Sequence, residues 1–145
     1  MKIVLQRVKS SSVTINGQTV GAINRGILVL LGVHKDDTPD KAAFLAARCA
    51  DLRIFSDANG KMNLSLCDVN GEALVVSQFT LFGDCTKGRR PSFIEAALPD
   101  KGKQMYDLFV AGLKKRVPIV ATGIFGAMMD VELVNDGPVT LILEK

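Results

Sequence analysis

The sequence predicts an α+β fold, a single compact domain over residues 1–145 with a barrel-like or two-sheet β core and two main helices. Three observations carry that reading. Short segments rich in β-branched residues recur along the chain, separated by Gly- and Asn-containing turns. Only two stretches have helical periodicity, and each opens on a Pro-Asp pair, Pro39-Asp40 and Pro99-Asp100. The chain has 145 residues, enough to bury about two thirds of its unfolded surface in one core.

The elements follow in order. Lys2 to Val8 is rich in β-formers, and Ser12-Val13-Thr14-Ile15, Asn16-Gly17 and Gln18-Thr19-Val20 give a hairpin signal, placing the first three strands here. Gly26 to Val33 is an apolar run of core-strand length ending at His34. Thr38-Pro39-Asp40 starts a helix that continues through Phe44, Leu45, Arg48 and Cys49 to about Leu52. Arg53-Ile54-Phe55 reads as extended, Asp57 to Gly60 as a turn, and Lys61 to Leu66 as a short mixed segment. After Asn70-Gly71 the central strand spans Glu72 to Leu81. A basic loop from Gly83 to Pro91 leads to the second helix, Pro99 to about Arg116, with Tyr106, Phe109, Val110 and Leu113 on its apolar face. Two closing strands, Met128 to Val134 and Val139 to Leu143, are expected on either side of Asn135-Asp136-Gly137-Pro138. No repeats, low-complexity tracts or linkers interrupt the chain.

Composition narrows the function. Hydrophobic residues make up 48% and the mean hydropathy is +0.24, leaving apolar material for a subunit interface as well as a core. No apolar run reaches the roughly 18 residues of a membrane helix, and the N-terminal stretch Met1-Lys2-Ile3-Val4-Leu5-Gln6-Arg7 meets charge too early for a signal peptide, so the expected location is the cytoplasm. Cys49, Cys67 and Cys85 are widely spaced and read as reduced structural thiols. The net charge of +3 permits a nucleic-acid partner without requiring one. Lys87, Arg89 and Arg90 cluster after the central strand and are candidates for phosphate contacts. Lys114, Lys115 and Arg116 read more simply as compensation of a helix dipole.

The chain has one histidine, His34, and Ser77 lacks the flanking glycines of a nucleophile elbow, so a Ser-His-Asp triad is disfavoured. No His, Cys or carboxylate set has convincing metal-ligand spacing. Gly83 to Gly88 with Arg89 only superficially mimics a phosphate loop, since Arg90 stands where a magnesium-binding hydroxyl belongs. Within the central stretch Leu74 to Leu81, the polar Ser77, Gln78 and Thr80 need partners or a ligand. Satisfaction by neighbouring groups is the plainer reading of that stretch alone.

Two motifs, Ser77-Gln78-Phe79-Thr80-Leu81 and Asn135-Asp136-Gly137-Pro138-Val139-Thr140, change the balance when read with Leu5-Gln6-Arg7-Val8 and Gly88-Arg89-Arg90-Pro91-Ser92-Phe93. Together they resemble the D-aminoacyl-tRNA deacylase family over essentially the whole chain. The resemblance implies a homodimeric hydrolase that cleaves the ester of D-amino acids, and of glycine, mischarged on tRNA, and rejects the L-form. It implies no metal and no organic cofactor. Ser77, Gln78, Phe79 and Thr80 would line the deacylation pocket, helped by the 2′-hydroxyl of the terminal adenosine. Gly137-Pro138 would be the family's Gly-cis-Pro chirality filter, entering the partner subunit's pocket, and Arg7 would hold it. Amides near Gln78 and Phe79 would stabilise the developing oxyanion. Two rivals remain, a tRNA- or RNA-binding module without catalysis and an esterase with Ser77 or Thr80 as nucleophile.

Overall fold

The computed structural model describes all 145 residues. Eight strands and two α-helices form a six-stranded, nearly closed mixed sheet and a small two-stranded sheet. The main sheet is built on β1 (Lys2–Ile15). One side of β1 pairs antiparallel along most of its length with β8 (Asp130–Glu144). Its other side is shared: Lys2 to Val8 pair with β3 (Gly26–Gly32), and Ser11 to Ile15 with β2 (Gln18–Ile23). β3 then pairs parallel with β6 (Glu72–Ser77), and β6 parallel with β7 (Val120–Thr122). β2 comes back against β7, so close that a Cβ on Gly21 would stand 2.6 Å from the Thr122 carbonyl oxygen. That approach nearly closes the barrel.

The two parallel pairings need crossovers, which the helices supply. α1 (Pro39–Asp51) lies between β3 and β6 in the chain, and α2 (Pro99–Lys114) between β6 and β7. Both start with proline in the first turn, where its missing N–H costs no helical bond. β3 and β6, at the middle of the main sheet, are buried on both faces, and their alternate side chains divide between two apolar clusters. Ile27, Val29 and Leu31 of β3, with Ala73 and Val75 of β6, meet the helices through Leu45, Phe109 and Leu113. Leu28, Leu74 and Val76 point the other way and pack with Val8, Val13 and Ile23 inside the barrel. β4 (Phe55–Ser56) and β5 (Met62–Leu64) form the small sheet.

The Asn16-Gly17 hairpin stands as expected, with φ of 50° and 78° at the two turn residues. Three boundaries differ from the sequence reading. Lys2–Ile15 is one strand where the sequence suggested two, because the polar segment stays paired to β8, with Ser10 to Ser12 against Val134 to Glu132 after a register shift that leaves Lys9 unpaired. The final two strands are likewise one, β8, running through Asn135 to Pro138 without reversing. The central strand ends at Ser77, and Phe79–Phe82 form a 3-10 turn instead of continuing to Leu81. No helix is long and apolar enough to cross a membrane.

Candidate active site

Ser77 stands level with Leu31 at the carboxyl ends of the parallel strands β3 and β6, the end of an α/β-type sheet where ligands bind. The backbone amide of Gln78 donates to the Leu31 carbonyl at 2.8 Å, the last rung before the chain turns. Phe79 and Thr80 therefore begin the 3-10 turn, and their amide N–H groups meet no acceptor within the chain. The expected pair of free amides thus shifts by one residue, since Gln78's amide is occupied. The Gln78 side-chain amide donates to the Thr80 hydroxyl, which fixes that oxygen as an acceptor and frees its own proton for donation outward.

The turn is seated by close packing. A Cβ on Gly32 would lie 3.1 Å from both the Gln78 carbonyl oxygen and the Leu81 Cβ, so only glycine lets the end of β3 meet the turn without displacing it. Phe79 is 55% exposed and meets Phe93 edge-on, with ring centroids 5.1 Å apart. The central stretch is buried from Ala73 to Val76, while Ser77 and Gln78 are half-buried and Phe79 and Thr80 open to solvent.

The second motif is a bulge in β8. Asn135 pairs with Val8 and Thr140 with Gln6, so Asp136 to Val139 oppose the single residue Arg7. The Asn135 side chain closes the excursion: its amide nitrogen donates to the Val139 carbonyl at 3.1 Å and its oxygen accepts from the Val139 amide at 2.8 Å. Gly137 and Pro138 project from the strand, exposed, and the peptide between them is cis, as the resemblance implied. Gly137 has φ of 144°, and a Cβ there would lie 2.7 Å from Val139 Cγ2. Arg7 is 8% exposed, so it is no ordinary surface ion pair. Its Nε donates to the Asp136 carbonyl at 2.8 Å and faces the Asp136 carboxylate at 3.2 Å, and Nη1 donates to the Ile54 carbonyl. The guanidinium thus ties the bulge to the start of the small sheet.

The two motifs are not together within one chain. Arg7 is four residues from Ile3 along β1, while Ser77 is level with Ile3 through Leu31. Four residues along a strand and three strand spacings, from β8 across β1 and β3 to β6, separate them by roughly 20 Å.

The basic loop follows the turn directly. Asp84 and Ser92 exchange both backbone hydrogen bonds, at 2.8 and 2.9 Å, and cinch its base. The Thr86 hydroxyl and amide hold the Asp84 carboxyl below its usual range. Lys87, Arg89 and Arg90 are exposed, and none of them forms an ion pair. In the other basic cluster Arg116 is paired with Asp51 at 2.5 Å, in keeping with a structural role. No three His, Cys, Asp or Glu side chains gather at metal-binding spacing.

A family model described as D-Tyr-tRNA(Tyr) deacylase matches residues 4–144. The chain belongs to that family. D-aminoacyl-tRNA deacylases of Thermus aquaticus and Desulfatibacillum aliphaticivorans are 57% and 59% identical to it over 145 residues. Those alignments span 100% of this chain and 95% and 99% of the relatives. Among solved structures, the c-Myc DNA Unwinding Element Binding Protein superposes with a TM-score of 0.94 at 41% identity, covering 100% of this chain and 99% of that one. A probable eukaryotic D-amino acid tRNA deacylase shares the fold, with a TM-score of 0.84 at 19% identity over 98% of this chain and 97% of that one.

In this member of the D-Tyr-tRNA(Tyr) deacylase family, several contributors to the site were missed by sequence reasoning. Gly32 looked like the end of an apolar run, and its position at the junction with a polar stretch was the available signal. Phe93 stood in the sequence only as the last residue of the Gly88 to Phe93 motif and Gly83 only as the start of the basic loop; nothing there marked Phe93 as the partner of Phe79, or Gly83, whose Cβ would meet the Phe93 ring at 2.9 Å, as its seat.

Proposed function

We propose that the chain hydrolyses the ester bond of D-aminoacyl-tRNA, and of mischarged glycyl-tRNA, as a chirality proofreader that spares the L-form. One observation carries the mechanism: the unpartnered amides of Phe79 and Thr80 at the exposed turn, beside the Thr80 hydroxyl oriented by Gln78. An aminoacyl ester is already activated, so it needs stabilisation of the developing oxyanion more than a strong base. Each well-placed amide contributes roughly 10²–10³ in rate in other acyl-transfer enzymes. Ser77, Gln78, Phe79 and Thr80 form the pocket in this reading, with water as the nucleophile, no acyl-enzyme, and neither metal nor organic cofactor. His34 is no base for Ser77, because both its ring nitrogens are engaged elsewhere, with Glu95 and the Asp36 amide.

Gly137-Pro138 is the chirality filter. Main-chain atoms held rigidly by Asn135 and Arg7 reject an L side chain by clash whatever its identity, while a D-amino acid or glycine presents hydrogen there. Since the bulge is roughly 20 Å from Ser77 in the same chain, the filter must come from a second copy, and the active form is a homodimer. The outer edge of β8 supports this, because it has no partner strand and exposes Val134, Leu141 and Ile142. Lys87, Arg89 and Arg90 contact tRNA phosphates beside the pocket, and the protein works in the cytoplasm.

A second reading, a nucleic-acid-binding module without hydrolysis, draws on those unpaired cations and on likeness to a protein named for binding a DNA element. Incubation with D-Tyr-tRNA separates the readings. Release of D-tyrosine without a trapped ester supports the proposal, binding without release supports the module, and an ester on Ser77 or Thr80 supports a nucleophilic esterase.

A further inference from the structure

We propose that His34 is a positioning residue: it sets both limbs of the basic loop at once, and so governs capture of aminoacyl-tRNA without touching it. The inference rests on the deacylase reading and adds a residue that neither motif contains. His34 lies just beyond β3. Its Nδ1 accepts from the Asp36 amide at 3.1 Å, which leaves the proton on Nε2, and Nε2 donates to Glu95 Oε2 at 3.0 Å. The ring also packs against Phe82, with centroids 5.2 Å apart and planes tilted by 58°.

Those two contacts belong to opposite limbs. Phe82 ends the 3-10 turn, the limb that enters the loop. Glu95 lies on the limb that leaves it, three residues past the Asp84–Ser92 pair. The leaving limb is laid along the end of β3 by Lys35 N–H donating to the Glu95 carbonyl at 3.0 Å and Ala97 N–H donating to the Val33 carbonyl at 2.9 Å. Lys35 Nζ adds a contact to Glu95 Oε1 at 2.9 Å, and Lys2 covers the Phe82 ring with its ammonium 5.5 Å from the centroid. The imidazole meets both the turn, through Phe82, and the carboxylate of the returning limb, through Glu95. Phe79 and Phe93, which touch across the same two limbs, are held at their spacing by the same clamp.

If the clamp is removed, the cations and the aromatic pair no longer present one fixed surface, while the turn amides keep their seat on Gly32. The defect therefore falls on binding more than on chemistry. Steady-state kinetics on D-Tyr-tRNA and direct tRNA binding are measured for wild type, His34→Ala, His34→Gln, Glu95→Ala and the double alanine variant, with melting temperatures as a folding check. His34→Ala is expected to raise KM and tRNA Kd about tenfold, as for one charge-assisted hydrogen bond, with kcat within about twofold of wild type. His34→Gln, whose amide still donates to Glu95, should recover most of the loss. Glu95→Ala should reproduce the defect, and the double variant should be no worse than either single one. If His34→Ala does not fold, Glu95→Ala carries the same test from the exposed side of the pair. An unchanged KM and Kd in a folded variant, a fall confined to kcat, or a glutamine variant as impaired as alanine overturns the inference. Wild-type protein that binds tRNA without hydrolysing it overturns the deacylase reading alone, and the tenfold change is then read in Kd.

Discussion

Removing the Arg7 side chain is the perturbation whose cost the structure defines best. Arg7→Ala leaves the Asp136 and Ile54 carbonyls without their charged donor at a site only 8% exposed. Hydrogen bonds to a charged group contribute about 1.5–3 kcal/mol each. The ion pair to the Asp136 carboxylate adds little, because that carboxylate is 32% exposed and rehydrates. The expected loss is therefore about 3–5 kcal/mol, in the range for breaking a buried pair. For a chain of this size that lowers the melting temperature by roughly 10–15 °C. Arg7→Lys keeps the charge but not the fork, so one carbonyl is abandoned and about half the loss remains. The functional consequence separates from the structural one in the lysine variant, which should stay folded at 25 °C while rejecting L-Tyr-tRNA less well. Thermal melts and D- and L-Tyr-tRNA hydrolysis by the same preparations give both readouts. An alanine variant that melts within about 2 °C of the parent and keeps full rejection of the L-form would refute the idea that Arg7 holds the bulge.

Four further outcomes are expected. Gly32→Ala pushes a Cβ into the Gln78 carbonyl and Leu81, so it should cost about 1–3 kcal/mol of stability, read in urea, and lower kcat by displacing the turn amides. Thr80→Ala and Ser77→Ala should reduce kcat only partially and activity should survive chelators; complete loss in a folded Thr80→Ala protein would favour a threonine nucleophile. Neutralising Lys87, Arg89 and Arg90 should weaken tRNA binding and reduce the log–log salt slope by about one for each phosphate left without its cation, whereas unchanged binding at low and high salt would make the loop mere solvated surface. Burial alone would raise the Asp37 carboxyl pKa, but hydrogen bonds from the Met1 amine, the His34 amide and Lys41 bring it below the usual value. Its stabilisation is thus present above the ordinary carboxylate range and is lost as pH falls through the lowered value, so Asp37→Asn should melt lower at neutral pH and lose less on acidification.

How much of this was legible follows from where the determining contacts lie. Local chemistry was readable: Asn16-Gly17 had to turn, and Thr38-Pro39 had to start a helix. The ending of β6 was not, because Phe79-Thr80-Leu81-Phe82 has the composition of a strand and turns only where the sheet offers no further rung after Gln78. Asn135 to Pro138 carries the residues of a chain reversal, yet β8 continues through it because the Asn135 side chain replaces the ladder and bonds Val139 itself. Arg7 and Asp136 are 129 residues apart, as the Nε bond between them spans, and nothing local in the sequence announces that contact. The motif residues themselves were placed by resemblance, and the exposed turn and the bulge are where the chain puts them. The separation of the two motifs across the sheet became visible only with strand order and register.

The most direct measurement compares initial rates on D-Tyr-tRNA and L-Tyr-tRNA under identical conditions, with unmodified protein whose dimeric state is checked in the same buffer. Hydrolysis of the D-ester at a rate at least about a hundredfold above the L-ester, the discrimination expected of a clash costing roughly 3 kcal/mol, is the predicted result. Equal hydrolysis of the two esters, or D-selectivity retained in a strictly monomeric protein, would contradict a backbone filter supplied by a second copy.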